Sequence, residues 1–144
     1  MPVRLWTMLC REFQDYGGTV SLNHVFATAA GGALPARIAK FSVVSAFEGE
    51  LGEEFSYRLN FQTPDGKPHG SPMEVRRYSI RRIPEFICID FAGYPFFEYG
   101  TYTIEVELNG NPIHIVELKI LGAANSEQAH DLVNSQQMKF EDEK

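Results

Sequence analysis

The chain has no run of about 18 apolar residues, so no helical membrane span is expected. The opening Met1–Arg11 segment is too short in apolar residues for a secretory signal and is interrupted by Arg4, which points to a cytoplasmic protein. Cysteine is scarce. Cys10 and Cys88 are the only two, each within an apolar run, so buried free thiols are expected, although an even count also leaves an inter-sheet disulfide open. Positive charge is in deficit, 13 Lys and Arg against 19 Asp and Glu, for a net charge of −6. Phosphates repel such a chain at long range, so nucleic acid is not an expected partner. Catalytic signatures are missing too: no G-x-S-x-G elbow, P-loop, H-E-x-x-H, C-x-x-C or G-x-G-x-x-G occurs. Neither an enzyme nor a cofactor is therefore expected.

Apolar residues, by contrast, are plentiful. They make up 44% of the 144 residues and aromatics 12%, enough for one domain with a core that needs no disulfide or metal. Their spacing is mostly two. Tyr102, Ile104, Val106 and Leu108 alternate with Thr101, Thr103, Glu105 and Glu107, and the run ends at Asn109-Gly110, a strong hairpin signal. Phe55, Tyr57, Leu59 and Phe61 alternate with Ser56, Arg58, Asn60 and Gln62, up to the Pro64-Asp65-Gly66 turn.

Further strand-like runs cover Val3–Cys10, Thr19–Phe26, Arg37–Phe47, Met73–Ile83, Phe86–Phe91 and Ile113–Ile120, with a loop expected over Ala27–Pro35. No convincing helix precedes residue 122. The pattern predicts an all-β, immunoglobulin-like antiparallel sandwich of about seven to nine strands over residues 1–121, with a closed barrel as the competing architecture. The Glu98-x-Gly100-x-Tyr102 opening favours the sandwich, because it matches a tyrosine corner. Residues 122–144 are polar and read as a flexible or partly helical tail, in which Ala129, Leu132, Val133 and Phe140 form a weak stripe.

Three segments taken in order resemble a bacterial family of small immunoglobulin-like sandwich proteins that is itself a domain of unknown function. They are Leu9-Cys10-Arg11-Glu12, then Gly17-Gly18 leading through Leu22 to Val25-Phe26, then Tyr94-Pro95-Phe96-Phe97 through Gly100-Thr101-Tyr102 to Asn109-Gly110. The chain departs from the family pattern at Arg11, where an acidic residue is common, and at His24, where a small one is usual. The resemblance implies the fold and carries no activity.

Two clusters are candidates for recognition. Tyr94, Phe96, Phe97 and Tyr99 crowd one expected end loop, where exposed rings would hold a protein partner and buried rings would plug the end of the sandwich. Arg76, Arg77, Tyr78, Arg81 and Arg82 place four guanidinium groups and a phenol in seven residues. That run suits an anion, or equally a strand edge guarded by charge against pairing. His24, His69, His114 and His130 lie in separate segments with no metal-ligand spacing. His24 and His114 share parity with core positions, whereas His69 and His130 read as exposed.

The expected function is a non-enzymatic protein-interaction module, binding a partner or a second copy by a strand edge, the aromatic loop or the tail. An anion-binding domain built on the arginine strand is the alternative. An enzyme using His24 or His114 with Glu12 or Asp15 is a third reading.

Overall fold

The computed structural model describes residues 2–17, 19–30 and 33–122, and the expected tail from residue 123 lies outside the described residues. Nine strands follow one another: β1 (Val3–Asp15), β2 (Val20–Phe26), β3 (Thr28–Ala30), β4 (Ala36–Glu48), β5 (Glu54–Gln62), β6 (Met73–Ser79), β7 (Glu85–Phe96), β8 (Gly100–Leu108) and β9 (Asn111–Leu121). Among the described residues there is no helix, and so none long and apolar enough to cross a membrane. The strands form a four-stranded sheet in the order β2-β1-β4-β7 and a five-stranded sheet in the order β3-β9-β8-β5-β6. Both are open, with two edges each, and pairing is mostly antiparallel.

The alternation read from the sequence survives where polar and apolar residues strictly take turns. In β8, Tyr102, Ile104, Val106 and Leu108 are buried, and in β5 Phe55, Tyr57, Leu59 and Phe61 are buried. β8 pairs with β5 in register, Leu59 opposite Val106 and Phe61 opposite Ile104, so one apolar row continues across both strands. β4 differs. Ser42, Val43, Val44, Ser45, Ala46 and Phe47 are all fully buried, as in a strand covered on both faces.

Two compact units are built from these strands. The first combines Ser45–Ile87 and Tyr102–Glu117 with the opening residues up to Thr7. Its interior is aromatic: Phe47 lies 5.1 Å from Phe55 and 5.7 Å from Tyr57, and Phe55 lies 5.7 Å from Tyr78, between ring centroids. A short polar chain runs through that interior. The Ser45 hydroxyl is 2.8 Å from Thr7 Oγ1 and 2.8 Å from the Tyr57 hydroxyl, joining β1, β4 and β5. Tyr102 is fully buried with its ring edge-on to His69.

The second unit combines Met8–Val44 and Cys88–Thr101 with the chain from Leu118. Phe41 stacks on Phe91 at 4.9 Å, and Phe26 and Tyr94 meet Phe41 edge-on. The small-residue stretch expected as a loop contains β3, whose Thr28, Ala29 and Ala30 pair in parallel with Lys119, Ile120 and Leu121 of β9.

Candidate functional site: the strand edges

Any open sheet offers rows of unpaired N–H and C=O groups at its edges, and folds normally block them. Most edges here carry such a block. In β2, His24 adopts a left-handed φ of 57°, which bends the strand out of pairing geometry. The expectation that His24 sits at the core margin is thereby corrected: the twist breaks the alternation and leaves it exposed. β7 carries Gly93 at φ 61° and Pro95, the Arg37 guanidinium donates to the Gly93 carbonyl at 2.7 Å, and the Tyr78 hydroxyl donates to the Phe86 carbonyl at 3.2 Å. β3 is only three residues long.

β6 holds the arginine cluster, and it is bulged. Phe55 faces Tyr78 while Tyr57 faces Val75, so Arg76 and Arg77 together oppose Ser56, with Arg77 at φ 52°. The bulge disperses the guanidinium groups. Arg76 pairs with Glu74 at 2.9 Å, where Arg58 also reaches within 3.4 Å. Arg81 lies over the Tyr78 ring at 5.6 Å and donates to its hydroxyl at 3.4 Å. Arg82 lies over Phe86 at 5.1 Å and 3.5 Å from Glu85, a carboxylate that also accepts from the Arg81 amide. The strand itself ends at Ser79, short of the expected Ile83, so Arg81 and Arg82 follow it rather than belong to it.

β9 is the exception. One side pairs with β8, and on the other β3 reaches only its last three residues. Over Asn111–Glu117 no strand among the described residues takes the outer side. The Lys119 amide donates to the Ala27 carbonyl at 2.9 Å, so Lys119 directs its backbone outward. At the other end of the strand the two-residue Asn109-Gly110 turn, at φ 51° and 79°, sets the Asn111 backbone against Leu108 of β8, so the outward parity changes between Asn111 and Lys119. Glu117 is the only charged side chain of that stretch, and Ile115 is 56% exposed. Pro112, which has no N–H to offer, begins this stretch, and from Ile113 to Glu117 no residue has a positive φ.

The same unit is thinly covered elsewhere along β1. β2 pairs with β1 only from Leu9 onward. Val3, Leu5 and Thr7 share the parity of buried Leu9, and Thr7 points inward to Ser45, yet Val3 is 64% and Leu5 43% exposed. Arg4 is close enough to His114 to act on it. Partial burial first, and then the Arg4 charge, lower the His114 pKa from 6.5, so the imidazole is neutral at physiological pH.

The aromatic cluster divides. Phe96 is fully buried, and Tyr94 is half-buried, edge-on to Phe91 at 5.2 Å and to Phe96 at 5.4 Å. Phe97 and Tyr99 are 61% and 39% exposed. β7 runs through Phe96, so half of the expected loop is strand. The Tyr99 ring covers Gly122, where an added Cβ would come within 2.8 Å of it. His69, expected to be exposed, is buried beneath a backbone bond from its amide to the Phe61 carbonyl.

Both cysteines are free, Cys10 buried and Cys88 half-buried. Burial, with Asp90 adding to it, pushes each thiol up to about 11. Cys88 donates to Asp90 at 3.4 Å, and Ser42 donates to the same carboxylate. Thiols held protonated in this way are poor nucleophiles at neutral pH. Among the described residues no group of His, Cys, Asp and Glu could hold a metal ion.

Sequence reading did not single out β9. The available signal was Ile113 and Ile115, apolar on the parity opposite to buried Leu118 and Ile120, directly after the Asn109-Gly110 turn.

Comparison with known proteins adds little on function. No curated protein matches the chain. Among solved structures, one that matches is a Pseudomonas fluorescens alkylpurine DNA glycosylase, AlkC, bound to DNA containing an abasic site analog. It is 8% identical with a TM-score of 0.48, and the match covers 80% of this chain but only 30% of that one. Likeness at that level carries no argument about this chain. Residues 5–121, which span all nine strands but the first two residues of β1, match a single family, so the chain belongs to the family of unknown function DUF6941.

Proposed function

We propose that this protein is a non-enzymatic interaction module that takes an extended segment of a protein partner onto the outer edge of β9. The observation that carries the reading is the contrast between edges: β2, β3, β6 and β7 are each distorted, shortened or charged, whereas over Ile113–Glu117 no described strand takes the outer side of β9 and no residue has a positive φ. A strand added there gains main-chain hydrogen bonds from the outward-directed groups within Ile113–Glu117, and meets the exposed Ile115 side chain.

The finer setting of the proposal is an immunoglobulin-like sandwich in a bacterial cytoplasm. The Thr7–Ser45–Tyr57 chain, which ties a strand of the five-stranded sheet to two of the four-stranded sheet, supports the sandwich. Two free cysteines support a reducing compartment. The anion-binding alternative has less behind it, because Arg76, Arg81 and Arg82 already meet acidic or aromatic neighbours.

Photo-cross-linking tests the reading. A photoreactive residue at Ile115 should cross-link to another chain in cells, and one at Arg77 should not. Cross-links that form only from Phe97 would move the binding surface to the aromatic end, and none from Ile115 would remove the edge reading.

A further inference from the structure

We infer that a groove beside the β4–β5 turn docks a basic segment of a protein partner. An aliphatic side chain of that segment sits on the apolar residues of the groove, and a neighbouring lysine or arginine is held by Glu48 and Glu50. The groove is lined by Val3 at the start of β1, by residues 48–53 and by Ile83 between β6 and β7, all within the first unit. Its volume of about 760 Å³ is that of a ligand site. None of these residues belongs to the β9 edge, so either reading can fail without the other.

The apolar lining is the first observation. Val3, Leu51 and Ile83 are each more than half exposed, and the groove brings them together. Single exposed apolar side chains need no explanation, whereas several converging on one concavity form a surface that gains by being covered. Slack in the chain is not the cause of their exposure. The Gly52 amide donates to the Ile80 carbonyl at 2.7 Å, the Ile80 amide to the Glu53 carbonyl at 3.0 Å, and the Glu53 amide to the Glu50 carbonyl at 3.0 Å. The Glu53 carboxylate closes the turn by accepting from the Glu50 amide at 3.1 Å. Gly49 lies so close beneath it that an added Cβ would come within 2.5 Å of Ile80 Cδ1. A turn tied at this many points holds Leu51 outward in advance, so little ordering has to accompany docking.

Charge names the partner. Glu48, Glu50 and Glu53 line the groove, and no Lys, Arg or His does. Glu53 already serves the turn. Glu48 and Glu50 are exposed, and among the described residues their carboxylates meet no cation. A second copy of this chain, at a net charge of −6, is a poor match for such a rim. So is the segment after residue 122, which ends Glu141-Asp142-Glu143-Lys144. Lysine and arginine suit both halves of the groove, because their aliphatic stems lie along apolar surface while the charged head reaches a carboxylate.

The test is an NMR titration of the full chain, at low salt, with a short capped peptide alternating leucine and lysine. The backbone signals of Gly49, Leu51, Gly52 and Ile83 should shift together and saturate. Replacing Glu48→Gln and Glu50→Gln together should weaken binding by about fivefold or more, as expected for two exposed ion pairs. Leu51→Ser should also weaken binding while thermal unfolding stays unchanged. Glu12→Gln, at an exposed site outside the groove, should leave binding as it is. Peptides carrying glutamate for lysine, or alanine for leucine, should bind by about fivefold or more less tightly. No saturable shift at those four residues in millimolar peptide, or equal binding by the doubly substituted chain, overturns the proposal. Spermidine that binds as tightly as the peptide also overturns it, by making the groove a site for small polycations. Cross-linking from Ile115 reports on the β9 edge separately, so the two failures are told apart.

Discussion

Removing one oxygen or another from the interior of the first unit separates the loss of one hydrogen bond from the loss of two. Tyr57 is fully buried, and its hydroxyl meets Ser45, which also meets Thr7. Tyr57→Phe deletes the phenol oxygen and keeps the ring packing on Phe47. Ser45 still has Thr7, so the cost is that of one net hydrogen bond, about 1 kcal/mol. Ser45→Ala deletes the middle of the chain instead. Both the Thr7 and the Tyr57 hydroxyls lose the Ser45 oxygen, so two hydrogen bonds go instead of one and the cost rises to about 2 kcal/mol. Urea unfolding should therefore rank Ser45→Ala well below Tyr57→Phe in stability, with unchanged slopes. The double variant should cost less than the sum of the two, because both remove the same contact. Equal losses for the two single variants, or strict additivity, would refute the continuous chain from β1 through β4 to β5.

Other consequences can be measured as readily. Phe96→Ala should cost about 3–5 kcal/mol and Phe97→Ser less than about 0.5 kcal/mol in thermal unfolding, because only the first ring is enclosed. Arg77→Gly should be neutral or stabilising by up to about 1 kcal/mol, and Arg77→Val destabilising, since the bulge holds position 77 at positive φ. Arg4→Met should raise the His114 pKa in an NMR titration, by removing the positive neighbour. Because His114 binds its proton less readily when folded, its contribution to stability should fall as pH drops below the unfolded value of 6.5, and less steeply in Arg4→Met. Both thiols should resist a disulfide reagent at neutral pH until the protein is unfolded, as burial holds them protonated.

How much of this was legible depended on whether a residue's neighbours in sequence determined its surroundings. In β5 and β8 they did, because strict alternation leaves only one face to bury. β3 escaped notice, since Thr28-Ala29-Ala30 carries no alternation and exists as a strand only through pairing with residues some ninety positions later. The bulge at Arg76 and Arg77 could not be read from the arginine run, because a bulge exists only relative to the partner strand that defines it. Phe96 and Phe97 are chemically identical, and only the point at which β7 ends decides which is enclosed. The bare edge of β9 is a property of sheet order, and sheet order is not written in any local pattern.

The edge can be read amide by amide. Hydrogen exchange of the dilute protein should show both fast and slow amides within Ile113–Glu117, because one side of β9 pairs with β8 and the other meets no described strand. Uniform protection across Ile113–Glu117 in the monomer would mean that the edge is already occupied, and would contradict the account.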